Sequence, residues 1–494
     1  MKQSNMWMLS KGAVLSLALI LGCQSHGQLM KFEVVGLGAD SVYLANYFGD
    51  KMYYADTTVA TPDGEFSFVS PPFEESGKYA VILPGQKMFE FMGVPEDIEI
   101  HTTMKNPTGD VEVLVSEENR ILYDYLKFIG DKRNQAAPQE QVLQDSTSSE
   151  EAREAAREIM NAFGEEVAME QKRVLQKHAD KLFAKYLNMV VEPEVPEVPE
   201  QIANPRDLQY RWYRNHYWDR VDFNDPRMVR DASFHNILNT YWTRVLPQIP
   251  DSLEAEAMRL VDLAKANADM FKYVVHYITF QSESSQVMCM DKVFVRMVDE
   301  FYRTGKAEWL NAEQVSKITD RADDLRNSLC GHRPPNITLL DLDQENWISL
   351  YDVDAKYTAI VIWESTCGHC KKELPKLVEL YEEWQPKGLE IFAIGNDFDP
   401  QPWVDYIQDK GYTDWINVSD NPQVNAQDSA MSLISSGITS IESLNFRTTF
   451  DVYATPKVFL LDADKQIVAK QVGAEQLGQI LARLEAMEGE IKGD

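Results

Sequence analysis

The chain has few cysteines and few basic residues for its length. Five cysteines in 494 residues are too few for a small domain held together by disulfides. Lysine and arginine number 48 against 78 aspartate and glutamate, which gives a formal net charge of -30. A chain this acidic has no electrostatic attraction to phosphate backbones, and we expect no nucleic-acid partner. The odd number of cysteines leaves one thiol that needs its own explanation.

The eight histidines are scattered and lack the short spacings typical of metal ligands. We therefore expect no metal site built on histidine. One alternative stays open, because Cys330, His332, Cys367 and Cys370 would together supply three sulfurs and one nitrogen to a zinc ion.

Residues 1–22 have the composition of a secretory signal. Lys2 and Lys11 are basic, no acid is present, and the apolar run 13–21 is too short to cross a bilayer as a stable helix. The run ends at Ile20-Leu21-Gly22-Cys23, which resembles the bacterial lipobox, where a peptidase cuts before a lipid-modified cysteine. This predicts a mature chain that starts at Cys23 and hangs by lipid from the outer or inner membrane, facing the periplasm. Cleavage elsewhere, which would leave Cys23 a free thiol, is the alternative.

Residues 28–110 alternate apolar and polar side chains between turn signals. This pattern predicts a small antiparallel β domain with strands over 31–35, 41–46, 65–69 and 79–83. Pro62-Asp63-Gly64 is a hairpin signal, since glycine supplies the positive φ that the turn requires.

Between 116 and 330 the apolar residues recur with the period of helices, and we predict an all-α middle domain. Prolines 193, 196 and 199 exclude helix locally and predict an extended spacer. The aromatic stretch 210–218 is predicted to pack in the core. Cys289 is interpreted as a buried apolar thiol, with its pairing to Cys330 left open. Neither of these first two regions assembles a catalytic set.

Residues 331–494 carry the candidate chemistry. The apolar run 357–363 is typical of a strand buried on both faces, and Cys367-Gly-His-Cys370 and an amphipathic stretch follow it at once. The first cysteine then lies at a helix N-terminus, where the partial positive charge favours a thiolate. We predict that Cys367 is the nucleophile and that Cys370 resolves the mixed disulfide formed with a substrate. A protonated His369 would stabilise the thiolate further.

The stretch from Trp363 to Pro375 resembles the active site of thioredoxin-fold proteins, in particular the membrane-anchored TlpA/ResA-type thiol-disulfide oxidoreductases. The resemblance implies a C-terminal α/β thioredoxin fold and assigns Trp363 and His369 as active-site support. Thr455-Pro456 is similar to the family's cis-proline loop, where the backbone before the proline pairs with a bound polypeptide. The family's proton-handling glutamate implies that role for Glu373, while Val361 stands where thioredoxins carry a buried aspartate. The alternative for Glu373 is a solvated helix residue.

The order of β domain, helical middle and thioredoxin-like domain also resembles lipoproteins common in Bacteroidetes. Together these features predict a disulfide reductase of exported proteins, kept reduced by a membrane thiol electron donor. It would need no cofactor beyond its own redox-active Cys367–Cys370 disulfide. A disulfide oxidase or isomerase is one alternative, because the Gly-His dipeptide favours a less reducing couple. A non-catalytic binding lipoprotein of the cell envelope with a redox-sensitive domain is the other.

Overall fold

The computed structural model describes residues 28–199, 202 and 204–492. The predicted signal segment and the lipid attachment at Cys23 lie outside the described residues. The chain divides into two compact units, the first ending at Leu187 and the second beginning at Asn188. This division falls inside the helical region, whose first two helices group with the β domain. Among the described residues, no helix is both long enough and apolar enough to cross a membrane.

The β domain of the first unit contains two four-stranded sheets, with strand orders β4-β1-β7-β8 and β3-β2-β5-β6. The strands are β1 (Leu29–Val35), β2 (Ser41–Phe48), β3 (Lys51–Val59), β4 (Glu65–Val69), β5 (Gly77–Leu83), β6 (Lys87–Gly93), β7 (Ile98–Thr103) and β8 (Glu112–Val115). Each predicted strand is present. The alternation expected from the sequence is clearest in β4, where Phe66 and Phe68 are buried between exposed neighbours.

The pairing differs from the prediction at one place. β1 runs parallel to β7, whereas the other strand pairs of the two sheets are antiparallel. A parallel pair needs a long crossover connection, and here the chain builds β2 to β6 between its two members. The aromatic rings of Phe32, Phe66 and Phe91 meet in the core of this domain.

The described residues between 116 and 330 contain helices and turns, as predicted. The α-helices are α1 (Glu117–Gln144), α2 (Glu150–Lys177), α3 (Leu182–Val190), α4 (Pro205–His216), α5 (Ala232–Thr240), α6 (Pro250–Ala264), α7 (Ala268–Glu283), α8 (Asp291–Met297) and α9 (Ala312–Arg326). The proline-rich residues 192–199 form neither helix nor strand. In the aromatic stretch 210–218, Trp218 is buried and packs edge-on against Tyr241, whereas Tyr210 is exposed.

Cys289 and Cys330 form a disulfide with their Cα atoms 5.6 Å apart. The disulfide settles the pairing that the sequence left open, and Cys289 is half of a disulfide instead of an apolar thiol. The sequence could not show this pairing, because 41 residues separate the two cysteines, and only the packing of α8 and α9 brings them together. The disulfide closes a covalent loop through the end of the helical region.

The C-terminal region forms a seven-stranded sheet of order β10-β9-β13-β12-β11-β14-β15. Its strands are β9 (Thr338–Asp341), β10 (Trp347–Ser349), β11 (Tyr357–Trp363), β12 (Leu389–Gly395), β13 (Ile416–Ser419), β14 (Lys457–Leu461) and β15 (Ile467–Lys470). Its helices are α10 (Gly368–Trp384), α11 (Gln401–Lys410), α12 (Gln427–Ser435), α13 (Ile441–Leu444), α14 (Phe446–Thr449) and α15 (Ala474–Lys492).

The central strand β11 is buried along its whole length. It pairs in parallel with β12 and antiparallel with β14. Because side chains alternate across a strand, Val361 and Trp363 pack under α10, α11 and α15 on one face, and Ile360 and Ile362 belong to the core of the other face. The uninterrupted apolar run of the sequence is explained by this two-sided burial.

Buried polar contacts connect the helical region of the second unit to this sheet. Lys470, at the end of β15, forms an ion pair with Asp291 of α8 and donates to the backbone oxygen of Ser328 at 2.7 Å. Its side chain is 5% exposed, so the charge depends on these partners. The helical region and the C-terminal sheet therefore share part of their interior.

Candidate dithiol site

The CxxC turn lies where β11 ends and α10 begins. Trp363, the last residue of β11, is fully buried and packs against the rings of Trp403 and Tyr406. Four residues later, Cys367 occupies the N-cap position of α10 with an extended backbone. The predicted handover from strand to helix is present, and it presents the first cysteine at the positive end of the helix.

Cys367 is partly exposed, and its sulfur has partners on two sides. The Sγ atom accepts a hydrogen bond from the backbone N–H of Cys370 at 3.3 Å, and the thiol donates to the backbone oxygen of Thr455 at 3.2 Å. Burial raises the pKa of the Cys367 thiol, but hydrogen bonds from the Thr455 side chain, the Cys370 thiol and the backbone of Cys370 and His369 outweigh it. The net pKa is lowered, which favours the nucleophilic thiolate.

Cys370 lies one turn further along α10 and is fully buried. Burial raises the pKa of its thiol to about 12, and the neighbouring Cys367 acts in the same direction. Both cysteines are free thiols in the structure. The two sulfurs therefore differ in the way that a dithiol exchange requires, with one accessible and acidic and the other protected and protonated.

The loop before β14 closes over the first cysteine. The Thr455–Pro456 peptide bond is cis, in agreement with the loop expected from the resemblance. The carbonyl of Thr455 faces the sulfur of Cys367, so the backbone before the proline lies beside the reactive atom.

Glu373 lies on α10 but is held by a different element. Its Oε1 atom accepts a hydrogen bond from the backbone N–H of Ala474 at 2.6 Å, and its Oε2 atom pairs with Lys376 at 3.0 Å. Burial raises the pKa of this carboxyl, but the Ala474 N–H and Lys376 outweigh it and leave the pKa lowered. The carboxylate is therefore a weaker base than one whose pKa is raised by burial. Ala474 is the first residue of α15, so the carboxylate also stabilises the start of that helix.

An open cleft of about 700 Å³ adjoins the dithiol. His369 and Glu373 line it together with Thr455 and Pro456, so it gathers several of the predicted site residues. Arg321, from α9 of the helical region, lines it as well. The imidazole of His369 is exposed.

The zinc alternative lacks support in the described part of the chain. No group of three or more His, Cys, Asp or Glu residues there is arranged to hold a metal ion. Cys330 is bonded to Cys289, so its sulfur is not available as the thiolate ligand that this alternative needs.

Comparison with known proteins places this region in a family. Residues 330–470 match the AhpC/TSA family. The chain carries an AhpC/TSA-family, thioredoxin-like domain. Residues 132–328, which precede it, match a family described only as a domain of unknown function, DUF5106.

Curated relatives of the AhpC/TSA domain include thiol-disulfide oxidoreductases named ResA. The protein from Bacillus cereus strain ZK / E33L is 27% identical over 150 residues, which cover 30% of this chain and 73% of that protein. The protein from Bacillus anthracis is 25% identical over the same shares of the two chains. The AhpC/TSA domain is thus of the thiol-disulfide oxidoreductase kind.

Two solved structures are similar to part of this chain. A domain of a possible thiol-disulfide isomerase from Cytophaga hutchinsonii is 31% identical, with 33% of this chain and 97% of that chain covered and a TM-score of 0.27. A thioredoxin-like protein from Bacteroides caccae is 17% identical, with 59% of this chain and 99% of that chain covered and a TM-score of 0.40.

The structure adds residues of the AhpC/TSA domain that the sequence analysis missed. Asp397 accepts hydrogen bonds from the backbone N–H of Ser365 at 2.9 Å and from its hydroxyl at 2.5 Å. These bonds hold the turn just before Cys367 against the loop that follows β12. A signal for this contact exists, because the carboxyl ends of neighbouring parallel strands meet at one edge of a sheet.

The unequal thiols of the AhpC/TSA domain lead to a prediction about alkylation of the reduced protein. At neutral pH, we expect iodoacetamide to modify Cys367 and leave Cys370 unmodified. Because the pKa of Cys367 is lowered, its thiolate fraction grows as the pH rises through that lower value, and the rate reaches its plateau at a lower pH than for a free cysteine. The reaction of Cys370 should need a pH near its own pKa of about 12.

Mass spectrometry of the separate cysteine peptides across the pH range measures both rates. A Thr455→Ala variant, which lacks the side-chain hydrogen bond to Cys367, should move the profile of Cys367 to higher pH. Equal rates for the two cysteines would contradict the asymmetry.

Proposed function

We propose that the protein reduces disulfide bonds in exported polypeptides through Cys367 and Cys370. The observation that carries the proposal is the pairing of a partly exposed thiol of lowered pKa with a buried thiol of raised pKa at one helix N-terminus. The relationship to thiol-disulfide oxidoreductases named ResA supports it.

The proposed reaction has two exchange steps. The Cys367 thiolate attacks one sulfur of the substrate disulfide, forming a mixed disulfide and releasing the other substrate sulfur as a thiolate. Cys370 then loses its proton and attacks the Sγ atom of Cys367. The second substrate thiol leaves, and the Cys367–Cys370 disulfide forms. Two electrons pass from the dithiol to the substrate, and an external membrane thiol donor must return them before the next cycle.

The high pKa of Cys370 makes the second step depend on a proton acceptor. We assign this role to Glu373, whose carboxylate is kept ionised at neutral pH by the Ala474 N–H and by Lys376. An ionised carboxylate can accept a proton, although its lowered pKa makes it a weak base. The alternative is that Glu373 has a structural role only, because its Oε1 atom accepts the hydrogen bond from the first residue of α15.

One observation favours the opposite direction as a second candidate function. A lowered pKa of Cys367 stabilises the reduced dithiol and makes the couple more oxidising. The same residues would then accept electrons from substrate thiols, and the protein would act as a disulfide oxidase.

We further propose that the chain is attached to a membrane through lipid on Cys23 and faces the periplasm. The basis is the run of residues 13–23 in the sequence. The placement supplies the oxidising compartment in which substrate disulfides form.

A Cys370→Ser variant should trap the substrate and reveal the direction of electron flow. Without its resolving thiol, the variant stops at the mixed disulfide on Cys367, so we expect covalent partners that dithiothreitol releases. A Cys367→Ser, Cys370→Ser double variant is the control and should trap none. The trapped partner should then accumulate as a disulfide in cells that lack this protein. Its accumulation as thiols would favour the oxidase, and partners that co-purify without a covalent bond would favour a binding protein.

Substitution of Glu373 should separate its two roles. We expect both Glu373→Gln and Glu373→Ala to slow the resolution of a preformed mixed disulfide by about 10²-fold, because neither side chain takes up a proton. Glutamine keeps an acceptor for the Ala474 N–H, so only the alanine variant should lose about 1 kcal/mol of unfolding free energy. Stopped-flow kinetics and denaturant unfolding measure the two effects. If Glu373→Gln resolves the mixed disulfide at the normal rate, Glu373 is not the proton acceptor and has only the structural role.

Replacement of Cys23 should abolish lipid attachment. A Cys23→Ser variant lacks the sulfur that carries the lipid, so we expect it to incorporate no labelled fatty acid and to keep residues 1–22, because the peptidase cuts only before a lipid-modified cysteine. Ser25→Ala, close by in sequence, is the matched control and should be labelled and cut like the parent protein. Labelled fatty acid on the Cys23→Ser protein would refute the anchor.

A further inference from the structure

The cleft beside the dithiol has a wall that does not come from the AhpC/TSA domain. Arg321 lies on α9, within the stretch that matches the domain of unknown function. The helix that carries it is well anchored, since Ala322 and Leu325 are buried and α9 packs against both α8 and α14. A residue on such a helix has a defined position relative to the sheet.

The guanidinium of Arg321 is bonded to Asp451, in the loop that leads to the cis proline. Its Nη1 atom lies 2.5 Å from Oδ1 of Asp451, and its Nη2 atom lies 3.4 Å from Oδ2. The Asp451 side chain is 4% exposed, and its other ionic partner is Lys457, at the start of β14. A buried carboxylate depends strongly on each of its cationic partners.

Asp451 begins a short loop that leads to Thr455, the residue in contact with the sulfur of Cys367. Its backbone has a φ of 52°, in the left-handed region, so its conformation relies on the surrounding contacts. Two residues on, the guanidinium of Arg321 lies 5.5 Å from the ring centroid of Tyr453. Four residues on, the carbonyl of Thr455 contacts Cys367 at 3.2 Å. One arginine therefore contacts the loop at two of the residues that precede this carbonyl.

The side chain of Tyr453 is notable for its exposure. At 80% it is the most exposed of the large hydrophobic side chains among the residues that the structure describes. It lines the cleft next to Ala454 and Thr455. An aromatic ring that is open to solvent at this place is available to contact a polypeptide seated over the dithiol.

We propose that Arg321 is a positioning residue of the dithiol site. Through Asp451 and Tyr453 it holds loop 451–456 so that the Thr455 backbone and the Tyr453 ring meet a polypeptide substrate beside Cys367. The inference rests on the proposed function for its substrate, and it gives the DUF5106-matched region a role in building the site. Hydrogen bonding from the Thr455 side chain lowers the pKa of Cys367, so displacement of the loop should raise that pKa as well as weaken substrate contact.

The test compares two substitutions on the same helix in the full-length protein. Arg321→Met removes the contacts to the loop. Arg326→Met is the matched control, because Arg326 is also on α9 but pairs with Asp299 of the helical region. Two quantities are measured for each variant: the pH profile of iodoacetamide alkylation at Cys367, and kcat/KM for reduction of the disulfides of insulin. Arg321→Lys, which keeps the charge but not the forked donor, tests for partial rescue.

We expect Arg321→Met to shift the alkylation profile to higher pH and to lower kcat/KM by about tenfold to a hundredfold, as for a small misplacement of a reacting group. Arg321→Lys should fall between it and the parent protein, and Arg326→Met should match the parent in both measurements. An alkylation profile of Arg321→Met that coincides with that of Arg326→Met would overturn the proposal, because a purely structural arginine would leave the thiol unchanged.

Failure of the proposed reductase function and failure of a variant to fold can each be distinguished from failure of the Arg321 proposal. If the parent protein does not reduce insulin, the proposed function loses support, whereas the alkylation profiles still decide the role of Arg321. If Arg321→Met does not fold, as judged by circular dichroism, Asp451→Asn removes the same ion pair from the other side and is judged by the same shift in the profile.

Discussion

The burial of β11 on both faces of the C-terminal sheet is the constraint on which the dithiol site depends. A strand held between β12 and β14, with apolar cores above and below, has no freedom to shift its register or its end. Its last residue, Trp363, is locked by two further aromatic rings. The chain must therefore leave the sheet at a defined point, and α10 begins at Gly368 with N–H groups of its first turn directed at the sulfur of the N-cap residue, Cys367.

The chemistry follows from small differences of environment between two identical side chains. Cys367 is at the mouth of the turn, where backbone and side-chain hydrogen bonds stabilise a negative charge. Cys370 is inside the core, where burial opposes the charge. Two loops complete the site. The loop after β12 holds the turn through Asp397 and Ser365, and the loop before β14 brings the Thr455 carbonyl to the sulfur.

The helical region of the second unit is joined to this domain by ionic contacts, and the Cys289–Cys330 disulfide closes the end of that region. The buried pair of Lys470 with Asp291 links α8 to the sheet, and the ion pair of Arg321 with Asp451 links α9 to the loop before β14. Loss of one partner of a buried ion pair is strongly destabilising, because the other charge is then left unpaired. They make the helical region part of the environment of the dithiol and explain how a residue outside the AhpC/TSA domain reaches the cleft.

The sequence by itself determined the elements whose signals are local. These signals depend only on consecutive residues: the apolar run of β11, the CxxC turn before an amphipathic helix, and the alternating strands of the β domain. The similarity to a known family added the cis bond before Pro456. Tertiary structure alone decided which distant groups meet. The parallel pairing of β1 with β7, the disulfide of Cys289 and the arrival of Arg321 at Asp451 join residues far apart in the chain, and no local periodicity records them. The lowered pKa of Glu373 has the same origin in part, since the sequence shows Lys376 three residues further on but not the Ala474 N–H that the fold places against the carboxylate.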